Sequence, residues 1–324
     1  MYSIQELQER IQKELAELSF NKQPIELYEP IKYSLSLGGK RIRPLLTLLA
    51  CDLFGGDINK ALKTSIGIEV FHNFTLLHDD IMDKAPLRRS KPTVHHKWNQ
   101  DIAILSGDAM LIEAYRLVMQ VDDDLLRKIL EIFNDTAILV CEGQQWDMNY
   151  ETNKQVSIQN YLEMISLKTA VLLAASLQIG ALIAGADKND AQLLYDYGKN
   201  LGIAFQLQDD ILDVYGDKDK FGKQVGGDII SNKKTYLLLK AHQLAKGENL
   251  ELLNTWINKI EFNPEEKVEA VASIFNNLNV KEEAKVEMQS FYKKAMMIFS
   301  KIDIPHERKT IIATFADSLI NREI

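Results

Sequence analysis

Apolar residues along this chain recur at helical rather than strand spacing. Ile4, Leu7, Ile11, Leu15 and Leu18 set the pattern at the start, three or four residues apart. Strict alternation, the mark of a half-buried strand, is scarce. Breaks fall at "FGGD" (54–57), "KAPLRRSKP" (84–92), "VDDD" (121–124), "YETNK" (150–154), "GADKND" (185–190), "YGDKDKFGKQVGG" (215–227) and "EFNPEE" (261–266). Most of these are clusters of turn-forming Gly, Pro, Asp and Asn. The segments between them run to roughly 15 to 30 residues. No Pro-, Gly- or Ser-rich linker and no short-period repeat divides the chain. The pattern predicts one all-α domain, residues 1–324, of about ten or more helices.

A chain of 324 residues, 46% hydrophobic and 26% charged, can bury a large core. The net charge of −8 argues against a general nucleic-acid or anionic-membrane binder, though it leaves room for a local basic pocket. Two isolated cysteines, Cys51 and Cys141, offer neither a disulfide scaffold nor a zinc site. They fit a reducing compartment, and a cytoplasmic protein is expected. The N-terminal "MYSIQELQERIQKELAEL" reads as a charged helix, not a signal peptide. From Thr169 to Ala186 no charge appears, about enough residues to span a bilayer. That stretch is alanine-rich, carries Thr169, Ser176, Gln178 and Gly180, and abuts Lys168. It reads as a helix buried on all sides, with no transmembrane segment expected.

Chemistry enters at "LLHDDIMD", where Asp79, Asp80 and Asp83 stand among Leu, Ile and Met. Some 130 residues later "FQLQDDILDVY" repeats the arrangement with Asp209, Asp210 and Asp213. Positions i, i+1 and i+4 fall within an arc of roughly 100° on a helix, so each cluster shows three carboxylates on one narrow face. Two unit charges about 4 Å apart interact by roughly 4 kcal/mol at an effective dielectric of 20. A solvated acidic face could carry one such cluster, but two set in apolar surroundings call for cations. A hard divalent ion suits them: Mg²⁺ takes oxygen ligands and typically shares one or two carboxylates with substrate phosphates. A zinc site would show His or Cys at ligand spacing, which His78 alone does not provide.

Cations recur near the breaks. "LGGKRIRPLL" places Lys40, Arg41 and Arg43 behind two glycines, and Arg88 and Arg89 follow the first Asp cluster. Glycine allows close backbone approach, and Lys and Arg suit phosphate oxygens. Taken singly, Lys168, Lys223 and Lys233 look like surface lysines, and His72 within "VFHNF" could be a core histidine.

In order, "GGKRIRP", "LLHDDIMD…LRR", "KTA" and "GIAFQLQDDILDVYGD" resemble the trans-isoprenyl diphosphate synthases, the polyprenyl synthetase family that includes farnesyl and geranylgeranyl diphosphate synthases. The resemblance covers about Gly38 to Lys233, and two DDxxD motifs with the basic block make it specific. It implies an all-α bundle of the isoprenoid synthase type around a deep central cavity, usually a homodimer. The implied reaction is Mg²⁺-dependent head-to-tail condensation of isopentenyl diphosphate with an allylic diphosphate. Under it, Asp79, Asp80 and Asp83 hold Mg²⁺ on one side of the allylic diphosphate; Asp209, leading Asp210 and Asp213, does so on the other. Arg88, Lys168, Lys223 and Lys233 contact that diphosphate. Lys40, Arg43, His72 and Arg89 bind isopentenyl diphosphate. Thr169 and Gln206 line the region where positive charge develops, supported by Gln144 and Asp147.

The same resemblance places the floor of the chain-elongation cavity at Phe74, with Phe71 a turn further from Asp79 and Thr75 a small neighbour. That arrangement implies a product near twenty carbons, with fifteen next. A terpene cyclase of the same fold is the alternative, but its second motif differs from "DDILD" and it needs no isopentenyl diphosphate site. A non-catalytic subunit of a heteromeric synthase is the other, and such subunits lose Asp motifs that are intact here.

Overall fold

The computed structural model describes residues 1–153, 155–216 and 226–321. Among these the helices in chain order are α1 (Ile4–Glu17), α2 (Ile25–Ser36), α3 (Ile42–Leu53), α4 (Ile58–Met82), α5 (Val94–Lys97), α6 (Gln100–Val118), α7 (Asp123–Thr152) and α8 (Ile158–Ile165). A π-turn at Ser166–Ala170 leads into α9 (Val171–Ile183) and α10 (Lys188–Tyr215). Then come α11 (Gly227–Ile230), α12 (Tyr236–Leu244), α13 (Glu248–Asn258), α14 (Pro264–Asn277), α15 (Val280–Ser300) and α16 (His306–Ile320). Among the described residues the only strands are β1 (Leu87–Arg88) and β2 (Lys91–Pro92), a two-residue ribbon. The all-α expectation holds.

Several helix starts follow directly from local sequence. At α1, Ser3 Oγ accepts the Glu6 amide at 3.2 Å while the Glu6 carboxylate accepts the Ser3 amide at 2.7 Å. Ser157 and Asn160 repeat this reciprocal cap at α8, and Asn263 with Pro264 at the first position starts α14.

The chain forms two compact units, each drawn from three separated stretches, so no single cut in the sequence parts them. The first comprises Met1–Ala137, Leu172–Asp196 and Phe299–Phe315. Its axis is α4, buried at most positions from Ile58 to Asn73 and packed on α3 and, most extensively, on α6. Gly67 permits that crossing: a β-carbon there would stand 2.8 Å from Val118 N and 2.9 Å from Ala114 O. The ribbon beyond α4 pairs Leu87 with Pro92 and Arg88 with Lys91. Its two turn residues, Arg89 and Ser90, both have positive φ, 52° and 61°, as a type I′ hairpin requires.

The second unit comprises Ile138–Val171, Tyr197–Ile298 and Ala316–Ile324. Here a β-carbon on Gly143 of α7 would lie 2.3 Å from Lys168 N and 2.7 Å from Lys168 Cα. Only glycine allows the π-turn to lie this close to α7. Lys267 of α14 is fully buried; its amine donates to Ile230 O at 3.1 Å, at the end of α11, and stands 4.1 Å over the Phe262 ring.

Most of the charge-free stretch lies in a helical run, Ile158–Ile183, that is long and apolar enough to cross a membrane; 78% of its most apolar 18-residue window is buried in the protein. Its alanines and Gly180 are packing residues. A β-carbon at Gly180 would stand 2.0 Å from Thr47 O of α3, a backbone atom that cannot swing aside. Gly180→Ala is therefore expected to destabilise the fold by about 1–3 kcal/mol, the usual cost of overpacking. A thermal melt followed by circular dichroism would show a lowered midpoint, and an unchanged midpoint would contradict the close crossing.

Candidate active site

Both aspartate clusters occupy the last turns of long helices. Asp79 and Asp80 end α4 with Asp83 as its C-cap, and Asp209, Asp210 and Asp213 lie in the final two turns of α10. Neither last turn holds a basic residue. Helix C-termini carry partial negative charge, so each carboxylate there is disfavoured by about 0.3–1 kcal/mol unless a cation answers it. The structure supplies cations unevenly.

In the first unit, Asp80 is buried and gripped by Arg88 from the ribbon, whose Nε lies 2.9 Å from both carboxylate oxygens and whose terminal nitrogen lies 2.7 Å from Oδ1. Burial nonetheless leaves the Asp80 carboxyl above its ordinary range, with Arg88 pulling the other way. Asp79 is partly exposed and Asp83 exposed.

A second group of cations gathers around His72. Burial first, and then the fields of Arg43, Arg88, Arg89 and Arg41, drive its imidazole well below the usual histidine range. Burial brings the Arg43 guanidinium down to about 10, opposed by Glu69. Among the described residues Arg43 Nε is buried without a hydrogen-bond partner. Arg89 donates to Gly38 O, and a β-carbon on Gly39 would stand 2.6–2.8 Å from its guanidinium. Lys40 is exposed on the same loop. Arginines concentrated beside His72, with the Nε–H groups of Arg41 and Arg43 buried and unsatisfied among the described residues, make a chemistry that suits an anion. Lys40, Arg43, His72 and Arg89, expected to share one ligand, thus lie on the loop before α3, the first turn of α3, α4 and the hairpin turn.

Phe71 and Phe74, the expected floor, are in contact at 5.7 Å between ring centroids. Phe71 continues to Phe133 at 5.2 Å and Phe133 to Tyr115 at 5.1 Å, while Phe74 faces His78 at 4.7 Å. Thr75 turns its hydroxyl back to His72 O at 2.8 Å.

In the second unit, Lys168 of the π-turn donates to Asp147 at 2.7 Å, and Lys233 lies 3.6 Å from the same carboxylate. Burial alone would raise Asp147, but Lys233 and Lys168 hold it below the ordinary carboxylate range. The Thr169 hydroxyl donates to Gln206 Oε1 at 3.2 Å, and the Gln206 amide donates to Asp210 Oδ1 at 3.2 Å. Asp210 is buried; its Oδ2 also accepts the Tyr161 hydroxyl and the Tyr236 amide, the latter at 3.4 Å. Burial and Asp228 push its carboxyl up to about 7, against Tyr161, Gln206 and Lys233. Asp213 Oδ2 accepts the Asp228 amide at 3.0 Å, tying the end of α10 to α11. Asp209 is partly exposed, and Gln144 is buried one turn before Asp147. Lys223 lies outside the described residues.

Among the described residues no three His, Cys, Asp or Glu side chains form a ready-made metal cage. A hard cation that uses one or two carboxylates and completes its shell from phosphate and water needs none, and the donors here are oxygens throughout. The donor set therefore fits Mg²⁺ held jointly with an anionic ligand. Asp80 and Asp210, expected as ligands, also accept hydrogen bonds on both oxygens, and each oxygen keeps a further lone pair. Tyr161 and Glu69 were missed in the sequence. Glu69 and Asn73 left one trace, a polar i, i+4 pair in the mostly apolar stretch Ile66–Leu77 of α4; Tyr161 left none that local pattern reveals.

This arrangement has relatives. The profile described as polyprenyl synthetase matches residues 24–275. The geranylgeranyl diphosphate synthase of Sulfolobus acidocaldarius is 40% identical over 298 residues, 90% of this chain and 90% of that protein. A crystal structure of a geranylgeranyl pyrophosphate synthase shares the fold at a TM-score of 0.94 and 44% identity, covering 100% of both chains. A polyprenyl synthase from Caulobacter crescentus, crystallised with calcium and isoprenyl diphosphate, matches at a TM-score of 0.89 and 29% identity, over 99% of this chain and 97% of that one. With the family profile spanning most of its length and one relative 40% identical across nine-tenths of it, this chain belongs to the polyprenyl synthetase family.

Proposed function

We propose that the protein is a trans-prenyltransferase that condenses isopentenyl diphosphate with an allylic diphosphate to give a short prenyl diphosphate of about twenty carbons. The observation that carries this reading is the cluster of arginines whose charges act on His72, with the Arg43 Nε–H buried and unsatisfied. Such a cluster suits a multiply charged phosphate ester. Relatives named for geranylgeranyl diphosphate support the product class.

In this reading Lys40, Arg43, His72 and Arg89 hold isopentenyl diphosphate, with Asn73 and Leu77 flanking the cleft that Arg88 and Arg89 line. Asp79 and Asp83 on α4, and Asp209 on α10, are the carboxylates that take Mg²⁺. When bound, Mg²⁺ supplies electrostatic stabilisation of a departing diphosphate. Asp80 orients Arg88, and Asp147 aims Lys168 and Lys233. The allylic partner ionises and its cation needs oxygen dipoles. Since the Thr169 proton is engaged by Gln206, its oxygen has only lone pairs left to offer such a cation. Asp210 fixes which end of the Gln206 amide faces Thr169. The isopentenyl double bond then attacks, and the released diphosphate takes the proton lost. We assign the same catalytic role to residues 1–324 as one domain, acting in the cytoplasm as a homodimer.

Asp79→Ala and Asp209→Ala are each expected to lower turnover by several orders of magnitude while leaving the melt unchanged or raised, since like charge at a helix C-terminus is removed. A condensation assay with Mg²⁺ decides it; near-normal turnover in Asp79→Ala would sink the metal assignment. Arg43→Ala and His72→Ala should raise KM for isopentenyl diphosphate with little change in KM for the allylic partner. Varying each substrate separately tests this, and an unaltered isopentenyl diphosphate KM in both variants would remove the assignment. Phe74→Ala should lengthen the product mixture, and Phe71→Ala/Phe74→Ala should lengthen it further by uncovering Phe133. Chromatographic sizing of the products reads the outcome; unchanged lengths in both variants would defeat the floor.

A further inference from the structure

Three cations stand within four residues at the start of α3, and the structure separates them. Lys40 is exposed, Arg43 is partly buried, and Arg41 is buried with its backbone in the left-handed region at φ 48°. That conformation is unusual for a residue with a side chain and persists only where surrounding contacts hold it. The contacts are specific. Arg41 donates to Glu69 Oε1 at 2.7 Å and to Leu35 O at 2.5 Å. Both Arg41 and Glu69 side chains are only 3% exposed. Asn73, one turn along α4, donates to the same Glu69 oxygen at 3.0 Å and to Glu69 O at 2.8 Å.

A buried ion pair is a poor device for stability, because desolvation offsets most of its attraction and an apolar pair of similar volume does as well. Its distinctive product is placement. Glu69 lies one turn before His72, and its charge also bears on Arg43 and Arg89. We infer that Glu69 is a positioning residue for the isopentenyl diphosphate site: by anchoring Arg41, the N-cap of α3, it fixes the loop that presents Lys40 and the first helical turn that presents Arg43. Arg41 is accordingly a structural cation and not a substrate ligand. This rests on the proposed reading of that cluster as the isopentenyl diphosphate site.

The test is Glu69→Gln, which keeps the shape and a hydrogen-bond acceptor but removes the charge. KM for isopentenyl diphosphate should rise about tenfold or more, kcat should fall less, and KM for the allylic diphosphate should stay within about twofold. Arg41→Lys, which keeps the charge but not the two-pronged grip, should give a smaller rise. If Glu69→Gln does not fold, Arg41→Met/Glu69→Met removes the pair together and should fold while still showing the raised KM. An unchanged or lowered isopentenyl diphosphate KM in either folded variant overturns the proposal; a lowered one would mean that Glu69 only dampens the positive field. Arg43→Ala and His72→Ala run alongside separate the two levels. A raised KM there with none from Glu69→Gln overturns positioning alone, whereas no change in any variant overturns the site assignment and the proposal with it.

Discussion

Carboxylates at the negative ends of helices are the constraint around which both units are arranged. α4 and α10 each bring three aspartates to their last turns, where the helix dipole adds to mutual repulsion. Arg88 answers one of them with a two-oxygen grip, and it can do so because the hairpin after α4 turns back within six residues. Tyr161, Gln206 and the Tyr236 amide answer another, with neutral donors in place of a cation. In each cluster the leading aspartate, Asp79 or Asp209, is partly exposed.

Guanidinium charge sets the complementary problem in the first unit. Arg41, Arg43, Arg88 and Arg89 all act on His72, and such a concentration requires carboxylates of its own. Glu69 and Asp80 provide them, each buried and each tied to one arginine. Burial then makes the rest of the cluster eager for an anion: the Arg43 guanidinium is already below its ordinary range and one of its N–H groups is unmet. Arg41 and Arg88 are thus each paired within the protein.

Close backbone approach is what gives these side chains their aim. Gly67 lets α4 meet α6, and Gly143 lets α7 meet the π-turn that carries Lys168 and Thr169. The left-handed residues Arg41, Arg89 and Ser90 redirect the chain at the two basic stretches, which the short loops could not do otherwise. Each costs backbone energy of order 1–3 kcal/mol, sustained by side-chain contacts on either side.

Local sequence was enough to determine the all-α character, the two carboxylate faces and the basic block, because periodicity and motif spacing depend on residues a few positions apart. Phe71 and Phe74 as neighbours followed from the same helical spacing. Pairing between distant residues was decided only in three dimensions. No pattern in "GGKRIRP" says that Arg41 turns inward to Glu69, 28 residues away, while Arg43 keeps an unmet N–H. Nor does "QDDILD" reveal that Asp210 is taken by Tyr161, 49 residues earlier. The π-turn at Lys168 has no helix-breaking residue to announce it; it exists where Gly143 admits it. Charge type is written in the chain, but which charges meet depends on burial and on how closely backbones can pack, and those are properties of the folded whole.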